Sequence, residues 1–172
     1  NRAPNLQKLY DFAVNRDGEN RPVVLSTNVL GVGFIYNERE FQAAGLTPPA
    51  SWNDLARPDL RGRLAITAPQ STMGTAALAM LARINGGSEA NIDPGFAATQ
   101  RIMANEQTIF TWTSELSNLL QLGQIWVAVT SSNIAPAQRA QGVPMRFVFP
   151  TEGSPTVNGG LSLVRGAPCQ EA

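Results

Sequence analysis

Histidine is absent from the 172-residue chain, and lysine occurs once, at Lys8. The first absence removes the commonest general base and the commonest metal ligand. It also rules out any Ser/His/Asp triad. A single cysteine, Cys169, has no intrachain partner for a disulfide and fits either redox compartment. Thirteen Lys and Arg residues balance thirteen Asp and Glu. The arginines are scattered, so no basic stripe exists to grip a nucleic acid. No apolar run approaches the roughly 20 residues of a membrane span, and no charged and then apolar leader opens the chain. Gly-x-Ser-x-Gly and P-loop patterns are missing, and Gly31-Val32-Gly33 lacks a third glycine in register. No Cys/His/carboxylate cluster has metal-ligand spacing. Asp54 and Asp59, beside Arg57, read as a solvated surface pair. These absences leave no catalytic residues, no metal and no cofactor to assign: the chain reads as a binder, not an enzyme.

What is present is a globular composition, 43% hydrophobic and 15% charged, in a chain long enough for a substantial core. Helical spacing of Leu6, Leu9, Tyr10 and Ala13 predicts a helix over 4–14, and 23–36 reads as extended. Asn37 caps a helix over Glu38–Ala44, and Ser51 caps a short turn over Trp52–Ala56. Further strands are expected at Leu64–Thr67, Thr108–Trp112, Ile125–Val129, Arg146–Phe149 and Leu161–Val164. Further helices are expected at Thr75–Ile84, from Asp93-Pro94 to about Asn105, at Ser114–Leu122 and at Asn133–Gln141. Alternating strands and helices predict an α/β fold, a three-layer α-β-α sandwich around a mostly parallel sheet. Trp52 reads as the anchor of its turn and Trp126 as core.

In open sheets of this class, ligands sit on the loops that follow the carboxyl ends of the strands. Three such loops share a character. The first carries Ser71, Thr72, Gly74 and Thr75, the second Trp112, Thr113, Ser114 and Glu115, and the third Thr130, Ser131, Ser132 and Asn133. Hydroxyl-rich turns at helix starts offer N–H donors, hydroxyls and the positive end of a helix dipole to a neutral or anionic guest. Each loop also has a plainer reading, because Ser and Thr are favoured caps in any helix. Trp112 fits stacking on a ligand or packing, and Glu115 fits a helix-dipole partner better than a base.

The run Val32-Gly33-Phe34-Ile35-Tyr36-Asn37, then Gly45-Leu46-Thr47-Pro48-Pro49 and Ser51-Trp52-Asn53-Asp54-Leu55, resembles the two-lobed solute-binding proteins of ABC importers. The groups concerned are the spermidine/putrescine, ferric-iron and thiamine ones. The resemblance continues through Pro58-Asp59-Leu60-Arg61-Gly62-Arg63-Leu64, Gly123-Gln124-Ile125-Trp126-Val127-Ala128 and Phe149-Pro150-Thr151-Glu152-Gly153. It covers about residues 22 to 170.

The resemblance implies a periplasmic-binding-protein lobe of type II, a small-molecule solute, ABC permease subunits as partners and an extracytoplasmic location. It implies that 22–170 is mainly the second lobe with both crossings, near 22–36 and 147–164. Residues 1–21 are then a stub of the first lobe or a linker, and the rest of the first lobe lies in a longer polypeptide. Polyamine binders of the family carry a Trp after the strand matching 125–129 and a Trp-x-Asp after the Pro-x-Glu-Gly motif. Here those places hold Thr130-Ser131-Ser132 and Val157-Asn158-Gly159. Iron binders carry a tyrosine pair near Ser131-Ser132, and the tyrosines here are Tyr10 and Tyr36. The implied guest is a carboxylate, phosphonate, sulfonate or hydroxylated solute, with Asn158 at the return crossing as a further contact. Self-association of an isolated lobe is a further expectation. The alternative reading is the ligand-sensing domain of a regulator, or a small α/β enzyme, using the same sheet edge.

Overall fold

The computed structural model describes residues 5–105 and 107–162. The chain falls into two compact units. Leu30–Val157 form the larger, and the residues to Val29 together with those from Asn158 form the smaller.

In the larger unit the apolar strands bury both faces. Strand β2 (Pro22–Asn37) alternates Val32, Phe34 and Tyr36 on one face with Ile35 on the other. Strand β3 (Leu64–Thr67) alternates Leu64 and Ile66 with Ala65, and β5 (Val127–Ser131) alternates Val127 and Val129 with Ala128. This is the period of two expected of a pleated strand. Helices α2 (Thr72–Ile84) and α3 (Asp93–Met103) cover the first face through Ala77, Met80, Leu81, Ala98 and Ile102. Helices α4 (Thr113–Gln121) and α5 (Ile134–Ala140) cover the second through Leu116, Leu120, Ile134 and Ala135. The three layers are those the alternation of strands and helices predicts.

The sheet order is β1 (Val14–Arg16), β2, β5, β3, β4 (Thr108–Phe110), with β6 (Met145–Val148) and β7 (Thr156–Leu161) also pairing with β2. The neighbours β5, β3 and β4 are parallel. Strand β2 runs antiparallel to β5 and to β6, so the sheet is mixed around a parallel centre. Helix α1 (Glu38–Ala44) starts as its cap predicts, with Asn37 Oδ1 accepting from the N–H groups of Arg39 and Glu40.

Several boundaries differ from the sequence expectation, for identifiable reasons. The described part of the expected 4–14 helix, from residue 5, forms no α-helix: short 3-10 turns at Leu6–Lys8 and Asp11–Ala13 lead into β1. Of the expected stripe only Ala13 is buried, while Leu9 and Tyr10 stay exposed among the described residues, and packing is what stabilises a short helix. Strand β5 begins at Val127, not Ile125. The Gln124 and Ile125 N–H groups bond back to Leu119 O, and Leu64 of β3 fixes the register at Val127. Trp126 is accordingly half-buried, not core, with the Arg63 guanidinium 4.8 Å over its ring. Strand β4 stops at Phe110, because the Thr111 N–H is taken by the Glu115 carboxylate at 3.0 Å. Strand β7 covers Thr156–Leu161, earlier than the expected Leu161–Val164, since pairing with β2 already begins with Val32 N–H on Pro155 O. Val164 and Cys169 lie outside the described residues. Asp59 is exposed and Asp54 half-buried, so both lie at the surface as read, but each carboxylate also has a protein partner. Asp59 is ion-paired with Arg57, and Asp54 accepts from the Ala50 and Ser51 N–H groups.

In the smaller unit β1 pairs antiparallel with the first half of β2, Val14 opposite Leu25. Asn28 Oδ1 accepts the Gly159 N–H at 3.0 Å.

Candidate functional site

Parallel strands end on one edge, so the loops after β5, β3 and β4 open side by side on a single rim of the larger unit. The antiparallel neighbours begin and end there too. Val32 of β2 lies opposite Ser131, and Phe34 opposite Val148 puts the end of β6 at the same edge. The three hydroxyl-rich loops therefore do share one rim, with Gly31-Val32 and the segment 149–156 beside them.

The loop after β3 is the most constrained. The Ser71 hydroxyl caps α2 by accepting the Gly74 N–H at 3.0 Å, and it shares a hydrogen with Thr67 Oγ1 at 2.8 Å. Thr75 Oγ1 donates to Pro69 O at 3.0 Å. Gly74 sits so close to the loop that a Cβ there would lie 2.1 Å from Ala68 O. Only glycine fits, and the close approach draws the helix start down onto the rim. Ser71 and Thr75 thus spend their hydroxyls locally. Thr72 is exposed, and the Thr72 and Met73 N–H groups face out of the helix end.

At α4 the cap position is Trp112, which offers no side-chain bond to the helix, and Thr113 and Ser114 are exposed beside it. The indole is 72% exposed. Of its two sequence readings, packing is the one this position does not support. The Glu115 carboxylate closes the turn on Thr111 N–H and is itself exposed at the rim.

The third loop is different. Thr130 and Ser131 are 1% and 4% exposed, and Ser131 Oγ donates to Asn133 Oδ1 at 2.7 Å. The Ser132 N–H is taken by Gly31 O at 2.9 Å. Here the side chains shape the loop, and Asn133 is the exposed member. Asn158 belongs to the smaller unit, where it is exposed on β7.

No Lys or Arg occurs in 67–75, 110–116, 130–134 or 148–156. The rim therefore offers an anion oriented N–H groups and helix dipoles, with Glu115 as the one carboxylate at its helix starts. Two features escaped the reading of loops one at a time. One is the role of Glu115 on Thr111. The other is the exposed Phe149, 66% accessible, whose ring lies over Gly31. The apolar void between the sheet and α2/α3, lined by Trp52, Leu55, Ile66, Leu81 and Phe96, is only about 40 Å³. A solute site needs several hundred.

A family model described as bacterial extracellular solute-binding protein matches residues 1–164. A periplasmic protein of Salmonella typhimurium, provisionally named for binding 2-aminoethylphosphonate, is 28% identical over 148 residues, 81% of this chain and 41% of that protein. An uncharacterized protein of Haemophilus influenzae is 29% identical over 147 residues, 83% of this chain and 41% of its own length. The chain thus spans less than half the length of the curated relatives it matches. Among solved structures, the periplasmic binding protein AfuA of Actinobacillus pleuropneumoniae, with exogenous fructose-6-phosphate bound, has a TM-score of 0.75 at 22% identity. That match covers 98% of this chain and 52% of AfuA. A periplasmic thiamin binding protein has a TM-score of 0.66 at 20% identity, over 90% of this chain and 47% of its own.

Proposed function

The chain belongs to the bacterial extracellular solute-binding proteins, whose relatives serve transporters and are not enzymes; we propose that its larger unit is one wall of a cleft for a small phosphonate- or phosphate-bearing solute. In this reading the larger unit is the second lobe. The smaller unit is the part of the first lobe that this chain carries. Capture is by closure of the two lobes on the solute, and the closed form delivers it to the permease of an ABC importer outside the cytoplasm.

One observation carries the choice of solute. The start of α2, where Ser71 caps only the Gly74 N–H, and the start of α4, which has no side-chain cap, meet on a rim whose loop segments carry no Lys or Arg. Main-chain N–H groups at helix termini suit phosphonate and phosphate oxygens, which need several donors at once. The exposed Glu115 carboxylate adds a preference: a zwitterion carrying an ammonium is better matched than a bare anion, which Glu115 repels. The relative named for 2-aminoethylphosphonate and the neighbour holding fructose-6-phosphate agree with this chemistry.

Isothermal titration of the two-lobed protein with 2-aminoethylphosphonate, ethylphosphonate, fructose-6-phosphate, inorganic phosphate and spermidine tests the proposal. The aminophosphonate is expected to bind most tightly, and Glu115→Gln to narrow its lead over ethylphosphonate. Binding of spermidine with no heat from any phosphorus compound would sink the reading.

A further inference from the structure

Two runs that the ligand wall does not use are tied to each other. Pro150-Thr151-Glu152-Gly153 follows β6 at the rim, and Ser51-Trp52 opens the 3-10 turn Trp52–Ala56. The Glu152 carboxylate accepts from Ser51 Oγ and, at 3.4 Å, from the Trp52 N–H. Trp52 Nε1 donates to Gly153 O at 2.9 Å, and Thr151 N–H donates to Ala50 O at 2.9 Å. Trp52 is fully buried and stands edge-on to Phe34 of β2, ring centres 5.8 Å apart. The 150–153 turn is therefore fastened to the core of the larger unit. Ser154 and Pro155, next in the chain, are fastened to β2: Ser154 Oγ donates to Val32 O at 2.5 Å, and the Val32 N–H to Pro155 O at 2.7 Å. Leu30 and Val157 are the outermost residues of this unit, so the clamp closes just inside both places where the chain leaves it.

We propose that Glu152 is a positioning residue for the two crossings. By holding the 150–153 turn against Ser51 and Trp52, it fixes where both connecting strands leave the larger unit. Bending between the units is then confined to residues beyond Val32 and Pro155. A glutamate serving only to solvate a turn needs none of these donors, whereas an ionised carboxylate with several donors is a strong local tie. The inference is independent of which solute binds.

Hydrogen–deuterium exchange on the whole chain tests it. Glu152→Ala is expected to speed exchange about tenfold at the Trp52, Thr151 and Val32 amides, the effect of losing roughly one charge-assisted bond. Exchange in Leu64–Thr67 and Val127–Ser131 stays unchanged. Glu152→Gln keeps an acceptor oxygen and gives a smaller effect. Unchanged exchange at those three amides overturns the proposal, and so does equal acceleration in β3 and β5. If Glu152→Ala does not fold, Ser51→Ala removes one donor and is judged by the same comparison.

Discussion

Replacing Gly74 with alanine tests the packing that brings α2 to the rim. The added Cβ would lie 2.1 Å from Ala68 O, 2.8 Å from Ala68 C and 2.9 Å from Pro69 Cα. All three are main-chain atoms, so no rotamer change relieves the clash. Ordinary contact begins at 3.4 Å, and 3.4 minus 2.1 leaves 1.3 Å that the helix start and loop must open. Overpacking of this kind costs about 1–3 kcal/mol, and a rigid carbonyl belongs at the upper end. Alanine is the better helix former by about 1 kcal/mol, which offsets part of the loss. The net is a loss of roughly 2 kcal/mol, or a fall in Tm of about 4–8 °C for a chain of this size. Urea denaturation and calorimetry measure both. A Gly74→Ala variant as stable as the parent, or more stable, refutes the claim that the loop holds the helix start.

Two further outcomes rest on the same geometry. Trp112→Ala is expected to change stability by no more than about 0.5 kcal/mol, as an exposed position should, while weakening solute binding to the two-lobed protein; a large fall in Tm without loss of affinity reverses that assignment. The pH dependence of Glu152 has a definite sign. Partial burial pushes its carboxyl up, but hydrogen bonds from Ser51, its own N–H, Thr151 and Trp52 outweigh this and hold it below its ordinary 4.5. Its contribution is therefore complete above that value and is lost as pH falls through the lowered folded value. Urea curves of the parent and Glu152→Gln should differ at pH 7 and converge only as the pH falls through the lowered folded value.

The parts of the fold that were legible are those set by neighbours in sequence. Asn37 and Ser51 cap where they were expected to, since a cap needs only the next three residues. Leu64–Thr67 is a strand as read, because it is buried on both faces and unbroken. Strand ends were not legible, because register sets them: β5 starts where Leu64 meets Val127, and β4 ends where Glu115 takes Thr111. The candidate site was legible as three loops, and the parallel order of β5, β3 and β4 brings them to one rim. Composition could not say which hydroxyls face outward. Thr130 and Ser131 are enclosed by their neighbours, while Trp112, in a sequence position that suits packing equally well, stands clear. The tie between Glu152 and Ser51 spans 101 residues. Spacing alone cannot show it, although the resemblance marked both runs.

Amide chemical-shift mapping of the two-lobed protein during titration with 2-aminoethylphosphonate tests the rim most directly. The largest changes should fall at Thr72, Met73, Thr113, Ser114 and Glu115. Changes confined to the opposite strand ends, at Asn37, Arg63 and Trp126, would contradict it.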